Sequence, residues 1–87
     1  TIVAADNGKL VVITGVGVTI ANVFGIGENV VIYNDSASQI AITTATGVLL
    51  RLAGTTQTGT RYLQQRGLGT VICVNSGEYV ISGAGIT

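Results

Sequence analysis

Apolar positions along the chain recur every second residue or in short runs, with no 3.6-residue period. Lys9–Thr14 reads KLVVIT, 16–21 VGVTIA, 28–34 ENVVIYN, 38–43 SQIAIT, 48–52 VLLRL, 60–65 TRYLQQ, 70–75 TVICVN and 78–82 EYVIS. Val, Ile and Thr dominate these runs, and their β-branched side chains suit a pleated surface. Gly, Asn, Asp and Ser separate them, as in Asp6-Asn7-Gly8, Asn34-Asp35-Ser36, Gly54-Thr55, Thr58-Gly59, Gly67-Leu68-Gly69 and Asn75-Ser76-Gly77. These residues accept the backbone angles that tight reversals demand. Spaced about 8 to 12 residues apart, the turns predict an all-β domain, a small antiparallel sandwich or barrel of about eight short strands.

The strands differ in how many faces are apolar. In 48–52, Val48, Leu50 and Leu52 share one face and Arg51 takes the other, the pattern of a strand with one wet side. Three other strands are apolar on both sides: Leu10/Val12 against Val11/Ile13, Val30/Ile32 against Val31/Tyr33, and Val71/Cys73 against Ile72/Val74. A domain this small cannot cover both faces of three strands by itself. The surplus faces predict a partner surface, read here as an interface between copies of the chain.

Composition narrows the function further. The chain has 87 residues, room for one domain spanning 1–87, and 47% of them are hydrophobic against 9% charged. That excludes disorder, and a net charge of zero excludes a basic nucleic-acid module. There is no His and a single Cys, Cys73, so a Cys/His zinc site and an internal disulfide are both ruled out. Within Val71-Ile72-Cys73-Val74 that thiol reads as a small buried hydrophobe. With no staple and a small core, oligomerisation is the expected source of stability. No apolar run reaches the roughly 18 residues of a membrane helix, so membrane insertion is not expected. The start at Thr1 suggests a piece of a longer protein.

Candidate chemistry is sparse. Without His, the usual Ser/His and Cys/His nucleophile pairs cannot form. The four carboxylates, Asp6, Glu28, Asp35 and Glu78, all fall at turns or strand starts, where a solvated acid needs no catalytic role. No loop has the acidic density of a calcium site, and no metal or cofactor is expected. Gly15-Val16-Gly17 and Gly25-Ile26-Gly27 lack the helix and the Lys of a phosphate loop and read as bends. Asn34-Asp35-Ser36 matches a glycosylation acceptor but is equally a turn. The stretch Arg61-Tyr62-Leu63-Gln64-Gln65-Arg66 concentrates long polar side chains that occur almost nowhere else in the chain. Alternation puts Arg61, Leu63 and Gln65 on one face and Tyr62, Gln64 and Arg66 on the other. Arg, Tyr and Gln combine planar surface with directional hydrogen bonding, as carbohydrate and acidic ligands require. Arg61, Tyr62, Gln64 and Arg66 are therefore the candidate ligand contacts, with a charge-protected edge strand or an inter-subunit hydrogen-bond ladder as the alternative.

From Gly59 to Val74, followed by Glu78-Tyr79-Val80-Ile81-Ser82-Gly83-Ala84-Gly85, the sequence resembles the closing β-module of tailed-bacteriophage tail-fibre and related virion proteins. Those modules carry a G-x-R-x-L-x-x-R-G-x-x-T stretch before a final hairpin that ends in S-G-x-G. Val30 to Ala37, with Ile40-Ala41-Ile42 and Gly47-Val48, is similar to their middle segment. Tyr79 stands where such hairpins often carry Trp. The resemblance implies a non-enzymatic homotrimer in a virion tail or appendage, in contact with other virion proteins. It implies either a host-receptor role, toward a surface glycan or protein, or a purely structural one as a decoration, trimerisation or connector module.

Overall fold

The computed structural model describes residues 2–87 and is all-β, with one three-residue 3₁₀ turn at Ala4–Asp6. Seven strands form one curled sheet: β1 (Leu10–Ile13), β2 (Val18–Ile20), β3 (Asn29–Asn34), β4 (Ile40–Thr44), β5 (Leu49–Leu52), β6 (Arg61–Asn75) and β7 (Glu78–Ile86). Two expectations change. The segments 60–65 and 70–75 are one 15-residue strand, β6, because Gly67-Leu68-Gly69 continues the strand and makes no reversal. The sheet is also mixed: β1 pairs with β3, β2 with β4 and β5 with β7 in parallel, whereas every contact of β6 is antiparallel.

β6 organises the rest. Along one edge it pairs with β7, from Leu63↔Ile86 to Asn75↔Glu78. Its other edge is shared by β4, opposite Arg61–Leu63, and by β3, opposite Leu68–Ile72. Between those stretches the strand bulges, with Gln64, Gln65 and Arg66 exposed in succession and Arg66 at φ 59°. A bulge of this kind bends its strand and raises the local twist. The β1–β3 and β4–β2 ribbons consequently diverge from β6 as two leaves, and their inner faces close on one core.

That core contains Ile13, Val18, Ile20, Val30, Ile32, Ile40, Ile42, Leu50, Leu63, Val71, Cys73, Tyr79 and Ile81, joined by Ile2 and Phe24. Tyr79 is the largest of the fully buried side chains among the described residues. Its ring lies 6.3 Å from that of Phe24, and its hydroxyl accepts a 3.1 Å hydrogen bond from the Phe24 amide. A buried tyrosine needs such a partner for its oxygen. At Gly83, φ is 144° and a Cβ would collide with the Leu68 carbonyl oxygen, so β7 can lie against β6 there only with glycine.

One buried side chain is polar. Asn34, at the end of β3, is fully buried, and its amide nitrogen donates to the carbonyls of Ser38 at 2.8 Å and of Leu63 and Gln64 at 3.0 Å each. Its own oxygen accepts from the Ser36 hydroxyl at 2.7 Å. The glycosylation-like triplet is thus a buried clasp that ties the β3–β4 loop to the bend in β6, and its amide is closed to modification.

Two outcomes check this architecture. Ile32→Asp or Val71→Asp, at positions fully buried in the core, places an unpaired charge in apolar surroundings at a cost of several kcal/mol. Against a net stability of about 5 to 15 kcal/mol, circular dichroism should show either variant unfolded. Asn34→Leu keeps the branched shape but puts bulkier methyls in place of the carboxamide and removes the donor shared by three carbonyls, of which only that of Ser38 keeps a side-chain partner, the Ser36 hydroxyl; denaturant titration should register a loss of about 2 to 4 kcal/mol.

Candidate functional site

The bulge in β6 disperses the polar stretch that the sequence groups together. Arg61 precedes it and turns toward the β5–β6 loop. Its guanidinium donates to the carbonyls of Thr60 at 2.8 Å and Thr58 at 3.4 Å, and to Gln57 Oε1 at 2.7 Å. Gln64 reaches the opposite side, where its Nε2 donates to Gln39 Oε1 at 2.8 Å. Arg66 lies within the bend and forms an ion pair with Asp35 in the β3–β4 loop. Tyr33, and behind it Asp35, hold the Arg66 guanidinium further toward its charged form than in free arginine. The structure therefore brings Gln64 and Arg66 together over the 35–39 loop, while Arg61 serves a different loop.

Tyr62 is the fourth candidate. Its backbone exchanges hydrogen bonds with Thr87 at 3.0 and 2.9 Å, while its ring is exposed. Strict alternation fails for Gln65: it was expected to share a face with Leu63, but Leu63 is buried and Gln65 is exposed. The physical reason is the bulge: from Leu63 to Leu68 β6 advances five residues while β7 advances two, from Ile86 to Ala84, so Gln65 loops out of the ladder and burial resumes at Gly67.

The remaining candidates have structural tasks. Asp6 Oδ2 accepts from the Val3 amide and Glu28 Oε1 from the Gly25 amide, each at 2.9 Å. Glu78 pairs with Arg51 across β7 and β5 at 2.9 Å. No group of three acidic, His or Cys side chains converges among the described residues, and their surface has no concave pocket. Cys73 is buried, and its Sγ donates to the Asn75 carbonyl at 3.1 Å. The glycines around Val16 and Ile26 form bends that hold those two side chains in solvent.

The outer face of the sheet is largely apolar. Directly paired residues share a face of the sheet, so the register sets the outward side chains in rows. Leu10, Val31, Thr70 and Ser82 form one row, Val12, Tyr33, Leu68 and Ala84 the next, and Ile72, Val80 and Arg51 a third on the other side. Leu10 is 58% exposed, Val12 48% and Leu68 46%. The surplus faces of β1, β3 and β6 are thus one continuous surface. Its charges are neutralised within the chain, by Arg51–Glu78 within the surface and by Arg66–Asp35 at its rim.

No protein family, curated protein or solved structure matches this chain.

The left-handed backbone at Arg66 gives a direct check on the bulge. This conformation costs an L-residue with a Cβ energy that glycine avoids. The exposed pair with Asp35 adds little. Arg66→Gly should therefore unfold at a higher temperature than Arg66→Ala, although both lose the ion pair.

Proposed function

We propose that the chain is a non-enzymatic assembly module of the phage tail-fibre type, joined to copies of itself through the outer face of β1, β3, β6 and β7. The observation that carries this reading is the continuous apolar surface. Three strands of about six residues and the four-residue β1, about 4.8 Å apart at about 3.3 Å per residue, give a face of roughly 350 Å² in plane, its polar Thr70 and Ser82 included. Exposed apolar patches of about 300 to 600 Å² are the largest that ordinary monomers show and are often functional. Its charges are satisfied within each protomer, so a second copy meets no like-charge repulsion on approach.

Of the two roles that the resemblance implies, the geometry favours assembly over receptor contact. Arg61, Gln64 and Arg66 each direct part of their polar groups to the chain's own loops, whereas the exposed Tyr62 ring makes no side-chain hydrogen bond among the described residues. The resemblance supplies the expected symmetry, a homotrimer in a virion appendage bound to other virion proteins.

Light scattering across a hundredfold dilution tests the reading. The expected mass is a multiple of three protomers that persists on dilution. Leu68→Glu, on the exposed face and away from the core, should lower that mass threefold while the β-sheet circular dichroism stays unchanged. A native mass that is not a multiple of three, or one that Leu68→Glu leaves intact, would overturn it.

A further inference from the structure

Open sheet edges invite pairing with another chain, and folded proteins commonly cover or distort them. Three of the four edges here are treated in that way. β5 is closed by its own loop: the Gly59 amide donates to Leu50 at 2.9 Å, the Leu52 amide donates to Gln57 at 3.1 Å, and Arg51 bridges Thr58. On β2, the Thr19 carbonyl accepts from the Ile2 amide at 2.9 Å. The far half of β7, beyond its pairing with β5, is irregular, with Gly83 and Gly85 at positive φ and a register shift against β6.

β1 is the exception. It pairs with β3 alone, in regular register. The Val31 amide donates to Lys9 and the Asp35 amide to Ile13. In a parallel ladder alternate residues turn both backbone groups to the same neighbour. Lys9, Val11 and Ile13 therefore face β3, and the N–H and C=O groups of Leu10 and Val12 point out of the sheet. No described residue takes them up.

We propose that this edge pairs with β1 of a second copy, antiparallel and about a two-fold axis through Val11. The register is self-complementary. Leu10 of each copy falls opposite Val12 of the other, so the four outward-pointing groups of each strand meet their counterparts as hydrogen-bonded pairs. Parity is preserved as well: Leu10 and Val12 carry outer-face side chains in both copies, and the apolar surface continues across the axis. Lys9 is the one charged residue adjoining the strand. Each Lys9 then lies opposite Ile13 of the other copy, which sets the two lysines about four residues, or roughly 13 Å, apart. That exceeds the Debye length of about 8 Å at physiological ionic strength. Any extended strand could bond to the same edge through its backbone; a second copy also sets exposed Leu10 beside exposed Val12 on the outer face at each end of the contact.

The contact goes beyond the trimeric reading and does not depend on it. Edge bonds run in the plane of the sheet, whereas outer-face contacts run along its normal, so one copy can make both. Trimers built through the face would join in pairs through β1.

Val12→Pro is the selective variant. It deletes a donor that points away from β3, and proline is accepted on strand edges. Light scattering should show its mass at half that of the native protein, with unchanged circular dichroism. Leu68→Glu should leave dimers, which separates failure of the face from failure of the edge. Hydrogen exchange on the native assembly gives a readout that needs no variant. The Leu10 and Val12 amides should exchange at least about tenfold more slowly than solvent-exposed amides, with protection lost on dissociation. Unprotected Leu10 and Val12 amides in the native assembly, or a folded Val12→Pro variant of native mass, would overturn the proposal.

Discussion

The architecture depends on one bend in one strand. β6 carries three neighbours, and two of them, β3 and β4, can share a single edge only because the strand changes direction between Leu63 and Leu68. The Asn34 amide holds that turn by binding the carbonyls of Leu63 and Gln64 on one side and of Ser38 on the other. Two N–H groups serve three acceptors, so one bond is shared, and the Ser36 hydroxyl backs the clasp with a 3.0 Å contact to the same Ser38 carbonyl. Buried networks of this kind are stabilising only when every member is satisfied. Here no buried side-chain nitrogen or oxygen among the described residues lacks a partner.

The division of labour between the two faces of the sheet follows from the bend. Folding the leaves together encloses the Val30/Ile32 side of β3 and the Ile40/Ile42 side of β4, and with them most of the apolar area a chain of this length can bury. The opposite side of β1, β3 and β6 carries Leu10, Val12 and Leu68, which no described residue covers fully: they are 58%, 48% and 46% exposed. Its outward residues are mostly aliphatic, with Thr70, Ser82 and the Arg51–Glu78 pair among them, a composition that costs solubility in an isolated protomer and favours use in assembly.

Much of this was legible in the sequence at the level of faces and little at the level of partners. Period-two patterning separates Leu10/Val12 from Val11/Ile13 because alternation is a local property of each strand. It says nothing of which strand lies alongside, so the parallel pairs were not visible and an antiparallel sandwich was the natural expectation. Gly67-Leu68-Gly69 reads as a turn by residue type; in the fold, the space a Gly67 Cβ would fill is taken by the Leu63 side chain and the Gln64 carbonyl, and the glycine serves close packing inside a strand. Asn34-Asp35-Ser36 does lie at a turn, but the burial of Asn34 depends on residues 29 and 30 positions downstream. The polar stretch at 61–66 was recognised as unusual, and the bulge that scatters its side chains has as its local trace a residue with a Cβ, Arg66, in a left-handed conformation.

The connectivity sets the order in which the chain can acquire structure as it is made. β1 waits for β3, β2 for β4 and β5 for β7, yet β3, β4 and β7 all pair with β6, which begins at residue 61. At about 5 to 20 residues per second, the first sixty residues leave the ribosome over roughly 3 to 12 s with no central strand on which to dock. During that interval five strand segments rich in Val, Ile and Leu are exposed without a template. Newly synthesised chains are therefore at their greatest risk of mispairing just before the final third emerges, and holdase chaperones are best placed to raise the yield at that stage.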